Sequence, residues 1–157
     1  MKAAHKAAFV VLLTYCLILN DCSMDDIKYT IYTDGAYSPK RDKGGIGFVI
    51  IKDGIEIFRF KKMFEHTTNQ RMEIMAACIA LESLNVSTNI QLFSDSAYLV
   101  NTMTKNWKKK TNLDLWDRLD KAVSKHQSVD FSWTKGHSTN LFNSVADMLA
   151  VEASNIM

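Results

Sequence analysis

Four acidic residues stand where a carboxylate is costly unless something uses it. Asp34 interrupts an apolar and β-branched run at Tyr32-Thr33-Asp34-Gly35, and Asp95 does the same at Phe93-Ser94-Asp95-Ser96. Glu73 lies in Gln70-Arg71-Met72-Glu73-Ile74-Met75-Ala76-Ala77, and Asp147 in Val145-Ala146-Asp147-Met148-Leu149-Ala150. An acid in such greasy surroundings needs a partner or a function. Two strand-end aspartates on neighbouring strands would repel and raise each other's pKa, and a divalent cation removes that penalty. Hard oxygen ligands suit Mg²⁺ or Mn²⁺. Two such ions can activate a water and stabilise a leaving oxygen in phosphodiester hydrolysis. Each acid also has a plainer reading. Asp95-Ser96 suits a helix N-cap, Asp34-Gly35 a turn, and Glu73 an ion pair with Arg71 or Lys61. It is the four together that point to a metal site.

The elements that must bring them together can be read from periodicity. Lys28–Thr33 is aromatic and β-branched, which predicts a strand. A polar turn at Ser38–Lys43, closed by Gly44 and Gly45, leads to a second strand at Ile46–Ile51. Asp53-Gly54 then signals a hairpin into a third strand at Ile55–Phe60. Gln70–Leu84 switches to helical spacing, with Met72, Ala76, Ile79 and Ala80 on one face. Ile90–Phe93 is a short strand, apolar at Ile90, Leu92 and Phe93. Helices at Ser96–Met103 and Leu113–Lys125, a strand at Val129–Trp133 and a closing helix at Asn143–Ser154 complete the order βββαβααβα. That order predicts an α/β fold, a mixed sheet with helices on its faces.

The bulk numbers fit this picture. The chain has 157 residues, 47% hydrophobic and 23% charged, which suits one ordinary compact domain. The net charge of +2 makes no general case for nucleic acid. Three cysteines, Cys16, Cys22 and Cys78, form no CxxC pair, so a zinc site is not expected. Cys78 reads as a small core residue in a reducing compartment. Residues 1–23 do not match the rest. Lys2 and Lys6 precede the apolar run Ala7–Leu19, whose 13 residues fall short of the roughly 20 needed to span a bilayer. A start-site extension, a signal or tethering segment and an extra packed helix are all open. The domain is expected at 24–157.

At five places the sequence resembles type 1 ribonuclease H. The motifs are Tyr32-Thr33-Asp34-Gly35-Ala36, Asn69 to Ala77, Ser94-Asp95-Ser96-Ala97-Tyr98, Trp133-Thr134-Lys135-Gly136-His137, and Asn143 to Ala150. The resemblance spans Lys28 to Ser154. It implies the ribonuclease H-like fold, a five-stranded mixed sheet of order 3-2-1-4-5 with the first three strands antiparallel and helices on both faces. It implies an endoribonuclease that cuts the RNA strand of RNA–DNA hybrids by two-metal catalysis, leaving 5′-phosphate and 3′-hydroxyl ends. Asp34, Glu73, Asp95 and Asp147 correspond to the metal-site acids, which would hold Mg²⁺, with Mn²⁺ as a substitute. His137 corresponds to a mobile-loop histidine that assists proton transfer or product release.

The same resemblance places Thr68 against a phosphate of the DNA strand, Asn69 and Gln70 in the minor groove where 2′-hydroxyls mark RNA, and Asn143 near the scissile bond. Two departures stand out. The loop Ala36–Lys43 replaces a compact Asn-Pro-Gly turn, and its basic residues are candidates for phosphate contacts. The long basic protrusion is shortened to Asn106-Trp107-Lys108-Lys109-Lys110-Thr111, and no hybrid-binding domain is expected. Trp107, Lys108, Lys109 and Lys110 are still expected to bind substrate, through phosphate charge and aromatic packing. The expectation is a cytoplasmic monomer with no obligate protein partner and no small-molecule cofactor; an exported or tethered form would rest on residues 1–23. A non-catalytic hybrid- or duplex-binding module and another nuclease on the same fold are the alternatives.

Overall fold

The computed structural model describes residues 28–136 and 140–156. Residues 1–23 and His137, for which the sequence raises expectations, lie outside the described residues.

Among the described residues, nine elements follow the expected order. They are β1 (Lys28–Ser38), β2 (Lys43–Lys52), β3 (Ile55–Glu65), α1 (Asn69–Glu82), β4 (Asn89–Ser94), α2 (Ala97–Thr104), α3 (Leu113–Val123), β5 (Ser128–Trp133) and α4 (Leu141–Ser154). The strands form one sheet of order β3-β2-β1-β4-β5. β1–β2 and β2–β3 are antiparallel, while β1–β4 and β4–β5 are parallel. This is the expected mixed sheet.

Side-chain alternation divides the core into two layers. Ile31, Ile50, Ile90 and Leu92 lie under α1, α2 and α3, with Ile74, Leu81, Leu99, Trp116 and Leu119 above them. Tyr32, Val49 and Ile51 face the other way and are covered by Ala146, Phe142 and Val145 of α4. β2 is buried along nearly its whole length, as a strand covered on both faces must be. Cys78 is a buried free thiol whose Sγ points at the Leu115 carbonyl, and burial pushes its pKa up to about 12, so it is an inert core group.

Two local expectations change. β1 does not stop at Asp34 but runs to Ser38, because β2 stays paired with it as far as Ser38↔Lys43. Gly44 and Gly45 are therefore strand residues of β2, not the close of the turn. Only the parallel pairing to β4 ends near the acid, at Thr33↔Ser94. No helix among the described residues is long and apolar enough to cross a membrane.

Candidate metal centre

The ladder between β1 and β4 sets the first two acids side by side. Its last rung is Thr33↔Ser94, and Asp34 and Asp95 are the next residues on each strand. The third acid comes from α1, whose first turn is capped by Thr68 Oγ1 accepting from the Arg71 amide at 3.3 Å. Gly35 lets that helix approach. A Cβ there would sit 2.5 Å from the Glu73 amide nitrogen and 2.6 Å from the Met72 carbonyl carbon. The fourth acid rides on α4, which lies directly on β2. A Cβ at Gly47 would be 2.6 Å from the Ala150 nitrogen, and one at Gly45 would be 2.5 Å from that of Ser154. Small residues thus seat two helices against the sheet, and each helix delivers one carboxylate.

One oxygen from each of Asp34, Glu73 and Asp95 lies within 4.8 Å of the others. Asp147 neighbours Asp34 closely enough to raise its pKa by hydrogen bonding and by charge. Two carboxyl groups can share such a bond only if one is protonated. Asp34 is 6% exposed and Glu73 5%. Burial, then the Asp95 charge, then Asp147 push the Asp34 pKa up to about 8, opposed by the Gly35 amide that donates to Oδ1 at 2.8 Å. Burial, then the charges of Asp34 and Asp95, hold Glu73 well above the carboxylate range.

The plainer readings of these acids do not hold. Arg71 is paired with Asp114 at 2.6 and 3.0 Å, and Lys61 with Glu152 at 2.7 Å, so neither neutralises Glu73. Glu73 Oε2 is buried and has no hydrogen-bond partner among the described residues. Ser96, not Asp95, caps α2, with Oγ accepting from the Leu99 amide at 3.2 Å. A buried, mutually repelling set of oxygen donors with one orphaned oxygen fits a divalent cation.

The other expected site residues are distributed around this centre. Thr68, Asn69 and Gln70 are exposed at the start of α1, beside Glu73. Asn143 is 3% exposed, in the first turn of α4. Trp107 is half exposed, and Lys108 and Lys110 are exposed. Lys109 differs from its neighbours: it is paired with Asp120 and lies 5.7 Å from the Trp116 ring centroid. It anchors the basic segment to α3. His137 is outside the described residues, but Gly136 before it packs on Asp95, where a Cβ would be 2.5 Å from Oδ2.

Of the basic residues Lys40, Arg41 and Lys43, two are engaged within the chain. Arg41 donates to Asn155 and Lys43 to the Ile156 carbonyl, which ties the turn to the end of α4. Sequence reasoning missed two further features here. Tyr37 and His66 both bond Asp42, joining the β1–β2 turn to the segment that enters α1. The Trp133 indole donates to the Asp95 carbonyl at 3.0 Å. Neither carries a local signal, because each depends on residues far apart in sequence.

Known proteins resemble this chain in sequence and fold. A model of the RNase H family matches residues 26–155. The ribonuclease H of Trichodesmium erythraeum is 40% identical, over 80% of this chain and 87% of its own length. That of Alcanivorax borkumensis is 41% identical, over 76% and 87%. Among solved structures, RNase H1 of Halobacterium salinarum aligns with a TM-score of 0.69 at 23% identity, over 80% of this chain and 96% of that one. LC11-RNase H1 in complex with an RNA/DNA hybrid aligns at 0.71 and 24% identity, over 81% and 96%. At such identities these two likenesses speak for the fold alone.

Proposed function

This chain belongs to the RNase H family and is an endoribonuclease, and from that membership we propose that it cuts the RNA strand of RNA–DNA hybrids with Mg²⁺, giving 5′-phosphate and 3′-hydroxyl ends. The observation that carries the metal assignment is the unpartnered, buried Glu73 oxygen beside Asp34 and Asp95. Asp34, Glu73, Asp95 and Asp147 would hold the metal, with Mn²⁺ a chemically equivalent substitute. Bound there, the metal supplies charge neutralisation and a water acidic enough to attack a phosphodiester.

The remaining roles belong to the chain itself. The Gly35 amide holds the Asp34 carboxylate in place through Oδ1. Asn69 and Gln70, exposed at the start of α1, offer amide groups to 2′-hydroxyls in the minor groove, and Thr68 faces the DNA strand. Asn143 supports the scissile region from the α4 side. Lys108 and Lys110 attract phosphates and Trp107 packs on sugars, with Lys109 fixing their segment. His137 moves a proton as product leaves. We assign these roles to residues 24–157 acting as a cytoplasmic monomer, without a further protein partner or small-molecule cofactor.

The test uses labelled RNA–DNA hybrid, RNA duplex and DNA duplex, each with Mg²⁺ or EDTA. Cleavage of the hybrid alone, and only with metal, is expected. Asp34→Asn should abolish cleavage and keep hybrid binding. Hybrid cleavage that persists in EDTA, or in Asp34→Asn, overturns the proposal.

A further inference from the structure

Trp133 is a large aromatic residue left 56% exposed at the end of β5, directly beside the acid cluster. At that exposure, water could satisfy the indole N–H at no structural cost. Yet its Nε1 donates to the main-chain oxygen of Asp95 at 3.0 Å. Buried Trp116, by contrast, has no partner for its own Nε1 among the described residues.

The surroundings show what that bond secures. The β4–β5 ladder ends at Ser94↔Trp133, and the Thr134 amide donates to the Ser94 carbonyl at 3.0 Å. On the other side of Asp95, Ser94 Oγ accepts from the Ser96 amide at 3.1 Å, and Ser96 caps α2. Gly136 then packs against the Asp95 carboxylate itself. The segment Trp133–Gly136 therefore touches Asp95 at both its carbonyl and its carboxylate. The outer part of the indole stays open to solvent and makes no aromatic pair among the described residues. An immobilised aromatic surface next to phosphodiester chemistry is suited to the sugar or base of a bound nucleotide.

We propose that Trp133 positions Asp95 through its indole N–H and carries one nucleotide of the bound strand on its exposed ring. This rests on the ribonuclease reading, and the two claims are separable. Wild-type protein is assayed first on the RNA–DNA hybrid with Mg²⁺. Trp133→Phe keeps a ring and removes the donor. It should lower kcat by about 3- to 10-fold, the scale of one hydrogen bond, leave KM within about twofold, and raise the Mg²⁺ concentration for half-maximal rate. Trp133→Ala also removes the ring. It should add a KM increase of about fivefold or more, the scale of one stacking contact.

NMR of wild-type protein labelled at the indole nitrogens supplies a readout that needs no turnover and no folded variant. The Trp133 Nε1–H should exchange slowly although its ring is half exposed. Its resonance should shift on adding Mg²⁺ alone, while that of Trp116 stays in place. Fast exchange and no shift overturn the positioning role, as does an unchanged kcat in Trp133→Phe when wild type is active. An unchanged KM in Trp133→Ala overturns the nucleotide contact. A wild type inactive on hybrid overturns the ribonuclease reading instead, and the NMR result still decides whether Trp133 holds Asp95.

Discussion

In the metal-free protein, Asp34→Asn should raise stability while it destroys activity. The folded Asp34 carboxyl is pushed from 3.8 up to about 8, chiefly by burial and by Asp95. Its folded pKa is therefore above its unfolded value. Between about pH 4 and pH 8 the native state binds more protons than the unfolded chain, so stability falls as pH rises through that window. At about 1.4 kcal/mol per unit, the loss from this one group is on the order of 5 kcal/mol by pH 8. Asp34 is coupled to its acidic neighbours, so a gain of about 2 kcal/mol at pH 8 is the floor expected of the variant. Asparagine suits the site, because its amide can donate toward Asp147 and its oxygen can accept from the Gly35 amide. The assay is urea unfolding in EDTA at about pH 5, 6.5 and 8 for both proteins. Wild type should weaken steadily while Asp34→Asn changes much less, so the gap between the two should widen as pH rises. Saturating Mg²⁺ should then restore wild type at pH 8, by about 3 kcal/mol at a hundredfold excess over Kd, and help the variant far less. Parallel pH curves for the two proteins would refute the assignment of Asp34 as a strained, cation-requiring acid.

Gly47→Ala should cost about 1–3 kcal/mol by urea unfolding, because the new Cβ meets α4 at the Ala150 nitrogen. Activity should fall with it, since α4 carries Asp147. Gly54→Ala, at φ +76 in open space, should cost about 1 kcal/mol and keep full activity. Replacing Lys108 and Lys110 together by Gln should raise KM most at low salt and reduce the salt slope of binding by about 2. Lys109→Gln should instead lower the thermal midpoint, because that lysine is tied to Asp120 and Trp116. His66 is held above the usual histidine range by the hydrogen bond and charge of Asp42. The contribution of that pair to the turn is present at low pH and lost as pH rises through the raised value. The His66 ring resonance should titrate above the ordinary range in wild type and return to it in Asp42→Asn.

What the sequence makes legible is what local spacing encodes. The switch from period 2 to period 3.6 at Gln70, the Asp53-Gly54 hairpin and the mostly apolar Ile90–Phe93 segment each map onto an element of the right type. The acids are legible as a set because each violates the pattern of its own element. What stays hidden is set by partners distant in sequence. Asp34 reads as a strand end because its neighbours turn polar, but β1 continues to Ser38 because β2 is there to pair with it. Gly45 and Gly47 read as turn residues or weak strand positions, and only the presence of α4 reveals them as its seat. Lys109 reads as one of three equivalent cations until Asp120 claims it. Trp133 sits in plain view within a motif, yet its tie to Asp95 exists only because the β4–β5 register ends at Ser94↔Trp133. The chemistry is thus written in residue types, while its precision is written in close approaches that no linear spacing displays. It follows that substitutions at Gly35, Gly47 and Trp133 should impair the centre through geometry alone, with all four carboxylates still in place.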